Sequence, residues 1–297
     1  MQLVPMRPEH LPEVLALIVE ADLCLHPDLE WLRHRTFDDP TCLPELLLLA
    51  EDEGQIVGFC IACIRGERGV IKAFAVRATH RRKRIATKLF EEAELRLRAQ
   101  RIGQVVVEGV APNYLMPGVD LHHTDAVAFL MQRGYETERV ARVDMDVDLL
   151  RADLETLEDE ARLGREGIAL QRARSEEIGA TAEFALTRFS APWQREVADA
   201  ARFSVPPLFI ALADSQIMAF AAYDVTGLGR FGPTGTHPEY RRRGIGGALL
   251  KMCLRSIRDR GEGRAEIAWA GPLGFYARAV GATIGRAYWM FHKTLTG

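Results

Sequence analysis

The sequence carries one pattern of residues twice, and this repeat constrains the fold more than any other feature. Residues 54–59, GQIVGF, match residues 215–220, SQIMAF, with Gln55 aligned to Gln216 (216 − 55 = 161). Residues 70–76 match residues 230–236 at almost the same offset (236 − 76 = 160). An offset that stays nearly constant along the chain indicates two copies of one folding unit.

Each copy predicts the same order of helices and strands. Apolar residues at the i, i+3, i+4, i+7 spacing of a buried helical face open both copies, and two strands with a tight turn follow. A third strand, a helix, a strand, a short helix and a last strand complete each copy. The helical faces are Leu11, Val14, Leu15 and Ile18 in the first copy, and Ile178, Thr181, Ala182 and Ala185 in the second. The predicted fold class is α+β.

The repeat also predicts the domain boundaries. A chain of 297 residues exceeds the usual size of one domain. We predict an N-terminal domain over 1–148, a linking helix over 149–166 and a C-terminal domain over 167–297. The linking segment is charged apart from one stripe, formed by Leu150, Leu154, Leu157 and Ala161, and is expected to cover a domain surface.

Composition excludes several classes of protein. The formal net charge of −3 argues against nucleic acid as a partner. Because the sequence contains runs of arginine, nucleic-acid binding stays open as a third hypothesis beside the two functions given below. No apolar run is long enough to span a bilayer, so we expect no membrane partner and a cytoplasmic location. The five cysteines are scattered through apolar runs and read as buried free thiols. Asp120, His122 and His123 lack a fourth ligand at a suitable spacing, so no metal site is predicted.

The chemistry-bearing stretch is residues 236–250, THPEYRRRGIGGALL, where three arginines run into glycines and then into an apolar helical pattern. The first amides of a helix have no intrahelical acceptor, and the helix dipole places partial positive charge beside them. Glycine at positions 244 and 246 leaves the backbone open to close approach by a phosphate. The stretch therefore predicts an anion-binding loop between a strand and a helix.

At Arg241, Gly244 and Gly246 the chain resembles the GNAT superfamily of N-acetyltransferases, whose signature reads [Gln/Arg]-x-x-Gly-x-[Gly/Ala]. The resemblance covers nearly the whole chain as two tandem GNAT folds, a layout similar to that of mycothiol synthases. It implies a twisted mixed α/β sheet flanked by helices in each copy. It implies that acetyl-CoA is the co-substrate and that the loop holds its pyrophosphate. The cofactor-binding residues that it implies are Thr234, Gly235, Thr236, Arg241, Arg242, Arg243, Gly244, Ile245, Gly246 and Gly247.

The two copies differ at the residues that the resemblance makes functional. Arg84 stands where the second copy has Gly244 (244 − 84 = 160), so we expect the first copy to serve mainly as a scaffold. Tyr276 matches the tyrosine that protonates the departing CoA thiolate in GNAT enzymes, whereas the first copy has Phe129-Leu130 and no hydroxyl. The second copy is therefore predicted to be the catalytic one.

The base and the acceptor pocket are less defined. The strand before the loop lacks the carboxylate that many relatives carry, so the base stays open between water and the side chains of Asp224, His237 and Glu266. GNAT enzymes generally build the acceptor pocket from the first helices of the fold. In the second copy that region holds Phe189, Pro192, Trp193, Arg195 and Phe203.

Two functions follow as alternatives. The first is an N-acetyltransferase, active as a monomer or homodimer, in which a primary amine of a small-molecule acceptor attacks acetyl-CoA directly. The second is a non-catalytic acyl-CoA-binding regulatory protein. The missing carboxylate favours this second reading, and Tyr276 favours the first.

Overall fold

In a computed structural model, which describes residues 1–107 and 109–295, the chain folds into two compact units. The first unit comprises Met1–Arg142 and Arg286–Gly297, and the second comprises Val143–Gly285. Each unit is built on one sheet with helices beside it.

The elements of the first copy are β1 (Gln2–Pro5), α1 (Leu11–Glu20), α2 (Leu29–His34), β2 (Leu47–Asp52), β3 (Gln55–Arg65), β4 (Arg68–Val76), α3 (Ile85–Ala99), β5 (Gln104–Val107), β6 (Val119–Asp120), α4 (Thr124–Gln132) and β7 (Arg142–Asp148). A linking helix, α5 (Leu157–Arg165), follows. The second copy continues with β8 (Ile168–Arg172), α6 (Ser175–Arg188), α7 (Ala191–Ala198), β9 (Leu208–Ala213), β10 (Gln216–Tyr223), β11 (Arg230–Thr236), α8 (Ile245–Arg258), β12 (Arg264–Ile267), α9 (Leu273–Val280), β13 (Thr283–Trp289) and β14 (Phe291–Thr294).

The predicted α+β fold class is confirmed in both units. The first sheet has the strand order β1-β2-β3-β4-β5-β14, and strands β8 to β12 follow one another in the second sheet with β7 beside β12. In each sheet one pair is parallel, β4 with β5 and β11 with β12, and the neighbouring pairs are antiparallel. The sheets are therefore mixed, as the resemblance to GNAT folds implied.

Local sequence explains the matching elements of the two copies. The tight turns between β2 and β3 and between β9 and β10 each contain two residues with positive φ, Glu53 and Gly54 in one and Asp214 and Ser215 in the other. Such turns match the twist of the flanking strands. The predicted faces of α1 and α6 are buried, except that Leu17 replaces the partly exposed Leu15 as a core residue of α1.

The last strands of the two copies are exchanged between the units. Strand β7, the end of the first copy, pairs with β12 in the second unit, where Val147 lies opposite Ala265. Strand β14, the end of the second copy, pairs with β5 in the first unit, where Phe291 lies opposite Val107. The predicted boundaries, 1–148 and 167–297, follow chain order and so differ from the observed units at both ends.

The linking segment is shorter as a helix than predicted. Helix α5 begins at Leu157 after an N-terminal cap at Thr156, and residues 149–156 form turns and irregular structure. Leu154 and Leu163 are buried in the core of the second unit, whereas Leu150 and Leu157 are exposed. The helix thus covers Leu157–Arg165 of the segment predicted as a linking helix, and Leu150 and Leu157 of its predicted stripe face solvent.

The five cysteines are free and buried, as the sequence predicted. None of the helices in the described part of the chain combines the length and apolar character that crossing a membrane requires.

The strand exchange predicts which unit a core substitution destabilises. Phe291 is fully buried in the first unit, so Phe291→Ala should lower the unfolding free energy by about 3–5 kcal/mol and speed hydrogen exchange at β5. Met145→Ala, on the exchanged strand of the second unit, should instead speed exchange at β12. Hydrogen exchange followed by peptide mass spectrometry measures both, and faster exchange in the unit predicted by chain order would contradict the assignment.

Candidate functional site

The predicted anion-binding loop lies between β11 and α8 in the second unit. A short 3-10 turn, Pro238–Tyr240, follows β11, and the chain then adopts positive φ at Arg242 (62°) and Gly244 (85°). The guanidinium of Arg241 donates to the carbonyl of Thr236 (3.2 Å), which fixes the start of the loop. Helix α8 begins directly after Gly244, so a compact loop joins the end of β11 to the start of α8.

The amides of the loop have the arrangement that anion binding requires. The backbone bond from Ala248 N to Gly244 O (3.1 Å) closes the first turn of α8. The amides of Ile245, Gly246 and Gly247 precede it and therefore have no intrahelical acceptor. The side chains of Arg241, Arg242 and Arg243 are exposed around them. The fold thus brings the predicted loop residues together around one cationic helix start.

The strand side of the site is formed where β11 parts from β12. Parallel pairing joins Arg230 to Glu266 and Phe231 to Ile267, and Ala268 N donates to Phe231 O (3.2 Å) at its end. Pro233, two residues further, has no N–H to donate, and the register with β10 shifts nearby, between Ala221 and Tyr223. Residues 234–236 therefore pair with β10 along one edge. Their other edge faces the space where β11 no longer pairs with β12, which we call the gap.

The predicted strand residues line this gap. Thr234, Gly235 and Thr236 pair with Ala221, Phe220 and Ala219 of β10, and the Thr234 hydroxyl donates to Phe220 O (3.0 Å). Because that hydroxyl is already used, the strand offers a ligand its backbone rather than the side chain of Thr234.

Tyr276 of α9 lies beside the point where β11 stops pairing with β12. Its ring packs edge to face against the ring of Phe231, the last residue of β11 that pairs with β12, and the two ring centroids lie 6.1 Å apart. The side chain is 6% exposed, and burial raises the pKa of the hydroxyl to about 12. Tyr276 is therefore a protonated phenol at neutral pH, which is the state that a proton donor needs.

Four aromatic rings pack against the other side of β11. The centroids of Phe184, Phe189, Trp193 and Phe220 lie 5.2–6.3 Å apart. The Phe189 ring lies so close to Gly235 that a methyl group there would come within 2.5 Å of the ring. Phe189 and Trp193 of the predicted acceptor region are thus at the site, whereas Arg195 is exposed on α7.

The three candidate bases are each engaged elsewhere. Asp224 accepts from Gly229 N (2.8 Å) and from the Arg260 guanidinium. Glu266 accepts from Arg230 (2.6 Å) at a buried position. The His237 ring accepts from Glu239 N (3.4 Å) as a cap of the short turn.

The first copy keeps the same loop geometry without the glycine. Arg82 and Arg84 have positive φ (64° and 60°), Arg81 donates to Val76 O (3.3 Å), and α3 begins at Ile85. A cavity of about 650 Å³ opens beside this loop. Its lining includes His80, Arg81, Arg82, Arg84, Phe74, Met116, Asp120, His123 and Phe129. The loop therefore retains its cationic, cradle-like form, and Phe129 takes the place of Tyr276.

Two features of the site were missed by the sequence analysis. Arg162 of α5 donates to the carbonyl of Arg243 (2.9 Å), and Arg230 forms buried ion pairs with Glu266 and Asp144. No signal in the sequence identifies these partners, because they come from separate segments. Among the residues that the structure describes, no group of His, Cys, Asp and Glu could hold a metal ion.

Comparisons with known proteins agree with this geometry. The sequence model of the Acetyltransferase (GNAT) family matches residues 13–135 and 178–281, one region in each copy. A search of curated proteins found no significant match.

Solved structures with both copies share the fold. A tandem GNAT protein from the clavulanic acid biosynthesis pathway superposes with a TM-score of 0.72 at 17% identity, covering 100% of this chain and 99% of that one. A GCN5-related N-acetyltransferase from Sphaerobacter thermophilus gives 0.71 at 18% identity, covering 100% and 96%. A glucosamine N-acetyltransferase region of a fungal multi-domain β-N-acetylglucosaminidase gives 0.76 at 19% identity, covering 98% of this chain but only 38% of that one.

The contact between Phe189 and Gly235 predicts a stability effect. Gly235→Ala should lower the unfolding free energy by about 1–3 kcal/mol, because the added methyl overpacks the aromatic cluster. Gly247→Ala is the matched control: nothing lies within 4 Å of its Cβ position, and alanine should stabilise α8 by about 0.5–1 kcal/mol. Urea denaturation of both variants measures the difference, and equal stability would contradict the close contact.

Proposed function

The chain belongs to the GNAT family of acetyltransferases, and on that premise we propose that its second copy transfers an acetyl group from acetyl-CoA to a primary amine. The observation that carries the proposal is the position of Tyr276 on α9, a buried protonated phenol whose ring packs against Phe231 of β11, the strand that leads into the anion-binding loop. The acceptor is proposed to be a small molecule.

The residues of the loop fit a diphosphate. Ile245, Gly246 and Gly247 offer amides at the start of α8, and the three arginines supply compensating charge. Within the helix, the Cβ position of Gly247 has no neighbour within 4 Å, so a ligand can approach its backbone. The bound coenzyme supplies the acetyl thioester. The backbone of residues 234–236, at the edge of the gap, is proposed to orient it.

Direct attack by the amine is favoured over an acyl-enzyme. Cys253 is the sole cysteine of the second copy, and it is fully buried on α8, where its thiol donates to Ala221 O (3.5 Å). Burial raises the pKa of this thiol well above its usual range, which makes it a poor nucleophile. The chemistry then depends on orientation of the amine and on Tyr276 as the proton donor to the leaving thiolate. Since each candidate base is engaged, the amine is proposed to lose its proton to water.

A second function is supported by the cavity in the first copy. There the loop keeps its conformation and its cations, but Phe129 offers no hydroxyl. Binding of an acyl-CoA without turnover is the role that this combination supports. If neither copy turns over, the whole chain would be the regulatory protein considered above.

The test of the catalytic assignment is Tyr276→Phe. We expect kcat to fall by about 10²-fold or more, the usual contribution of a general acid, while the Kd for CoA changes less than twofold. Thiol release from acetyl-CoA with a panel of small amines gives kcat, and calorimetry gives Kd. Because the pKa of Tyr276 is about 12, ionisation of this residue should not reduce kcat anywhere between about pH 6 and 10.

Two further results decide between the copies. Arg84→Glu should leave kcat unchanged, because the first loop is not proposed to turn over substrate. A kcat that depends on Arg84 but not on Tyr276 would place catalysis in the first copy. Binding of CoA by the wild-type chain without any thiol release would support the regulatory function.

A further inference from the structure

The loop of the second copy receives a guanidinium from outside the repeated fold. Arg162 lies on α5, in the segment between the copies, and its Nη1 atom donates to the carbonyl of Arg243 (2.9 Å). Its Nη2 atom lies 2.6 Å from the position that a Cβ on Gly244 would occupy. Arg162 therefore stands directly over the left-handed residue at the start of α8.

The segment that carries Arg162 is fixed to the same helix. Arg255 of α8 donates to the Thr156 hydroxyl (3.1 Å), and Lys251 of α8 contacts Asp153 (3.1 Å). Leu163, next to Arg162, is fully buried in the core of the second unit. The loop leads directly into α8, and the segment that carries Arg162 is bonded to α8. The Arg162 guanidinium is therefore held beside the loop.

The first copy provides the same charge in a different way. Arg84 adopts the left-handed conformation of Gly244, so its Cβ leaves the backbone in the direction that Arg162 fills in the second copy. Arg84 also lines the cavity beside its own loop. One copy thus supplies a guanidinium from within the loop, and the other combines glycine with an arginine from the linking helix.

The partners of Arg162 leave it able to bind an anion. Asp159 (2.7 Å) and Glu166 (3.3 Å) pair with its guanidinium, but all three side chains are more than a third exposed. Ion pairs of this kind contribute little stability, so exchange of a carboxylate for a phosphate costs little. Together with Arg241, Arg242 and Arg243, four guanidinium groups outnumber these two carboxylates.

We propose that Arg162 is a coenzyme-binding residue of the second copy, which holds the loop through Arg243 and presents its charge to a phosphate of the acyl donor. The inference rests on the proposed function, because it takes the diphosphate-bearing acyl donor as the ligand. It also gives Gly244 a role beyond its positive φ: a side chain at this position would have to displace the guanidinium of Arg162 from the loop.

The test is a double-mutant cycle on CoA binding, measured by calorimetry. Every chain in the cycle carries Arg84→Glu, which removes CoA binding by the first loop, and the chain with this substitution alone is the parent. Arg162→Ala should raise the Kd for CoA about tenfold, as loss of one charge-assisted contact predicts. Gly244→Arg should raise it at least as much, because the new side chain meets Arg162. The double variant should return to within about threefold of the parent, since the vacated space admits the introduced guanidinium, as the first copy does with Arg84.

Controls separate charge from structure. Arg165→Ala removes an exposed arginine from the same helix and should leave Kd unchanged. Arg162→Lys should retain most of the affinity, whereas Arg162→Gln, which can still donate to Arg243 O, should lose it. The effect of Arg162→Ala should shrink as salt is raised, because added ions screen a charge–phosphate contact. Thermal unfolding of each variant confirms that the chain is folded.

Two outcomes would overturn the inference: an Arg162→Ala variant that binds CoA like Arg165→Ala, or a double variant that binds no better than either single variant. If the parent chain itself binds no CoA while the chain without Arg84→Glu does, the proposed function of the second copy fails, and not only the role of Arg162.

Discussion

Positive φ angles at two residues hold the anion-binding loop of each copy in shape, and the rest of the site depends on them. Arg82 and Arg84 adopt these angles in the first copy, and Arg242 and Gly244 in the second. A non-glycine residue in this region costs about 1–2 kcal/mol, so three arginines in left-handed conformations require support from their surroundings. The support is the same in both copies: a short 3-10 turn before the loop, an arginine bound to the strand end, and a helix directly after it.

The proposed chemistry of the second copy depends on the separation of its central parallel strands. The exchanged strand β7 contributes to this region, because its Asp144 accepts from Trp269 N (2.6 Å) and pairs with the buried Arg230. Trp269 begins the connection to α9, which carries Tyr276. Removing one partner of a buried ion pair typically costs about 3–5 kcal/mol, so the connection that leads to α9 depends on a strand that belongs to the first copy in sequence. The exchange is thus part of how the second site is built.

The difference between the copies lies in side chains on a common backbone. Both copies have a cationic loop before a helix, and the first has Phe129 where the second has Tyr276. A phenol below the gap makes proton donation to a leaving thiolate chemically accessible, whereas a phenyl ring provides only packing. Under the proposed function, duplication of the fold separates ligand binding in the first copy from turnover in the second without a change in architecture.

Much of the site was predictable because its parts are contiguous in sequence. The loop from Arg241 to Gly247 was found from its arginines and glycines, its counterpart at Arg84 from the repeat, and Tyr276 from the resemblance to GNAT enzymes. The contact of Phe189 with Gly235 was only partly foreseen: the aromatic region was identified, but not its position against the strand. Arg162 and Asp144 were missed, since nothing local distinguishes an arginine that covers a loop from one that faces solvent.

The sequence by itself determined the two copies, the order of their elements and the loop at each helix start, because periodicity and glycine placement act over a few residues. The mixed sheets were implied by the resemblance to GNAT folds. Tertiary structure alone decided which sheet each terminal strand completes, since β7 and β14 meet open edges with the same hydrogen-bonding pattern. It also decided that Arg162 of the linking helix lies at the loop, because its contact with Arg243 joins residues 81 positions apart along the chain (243 − 162 = 81).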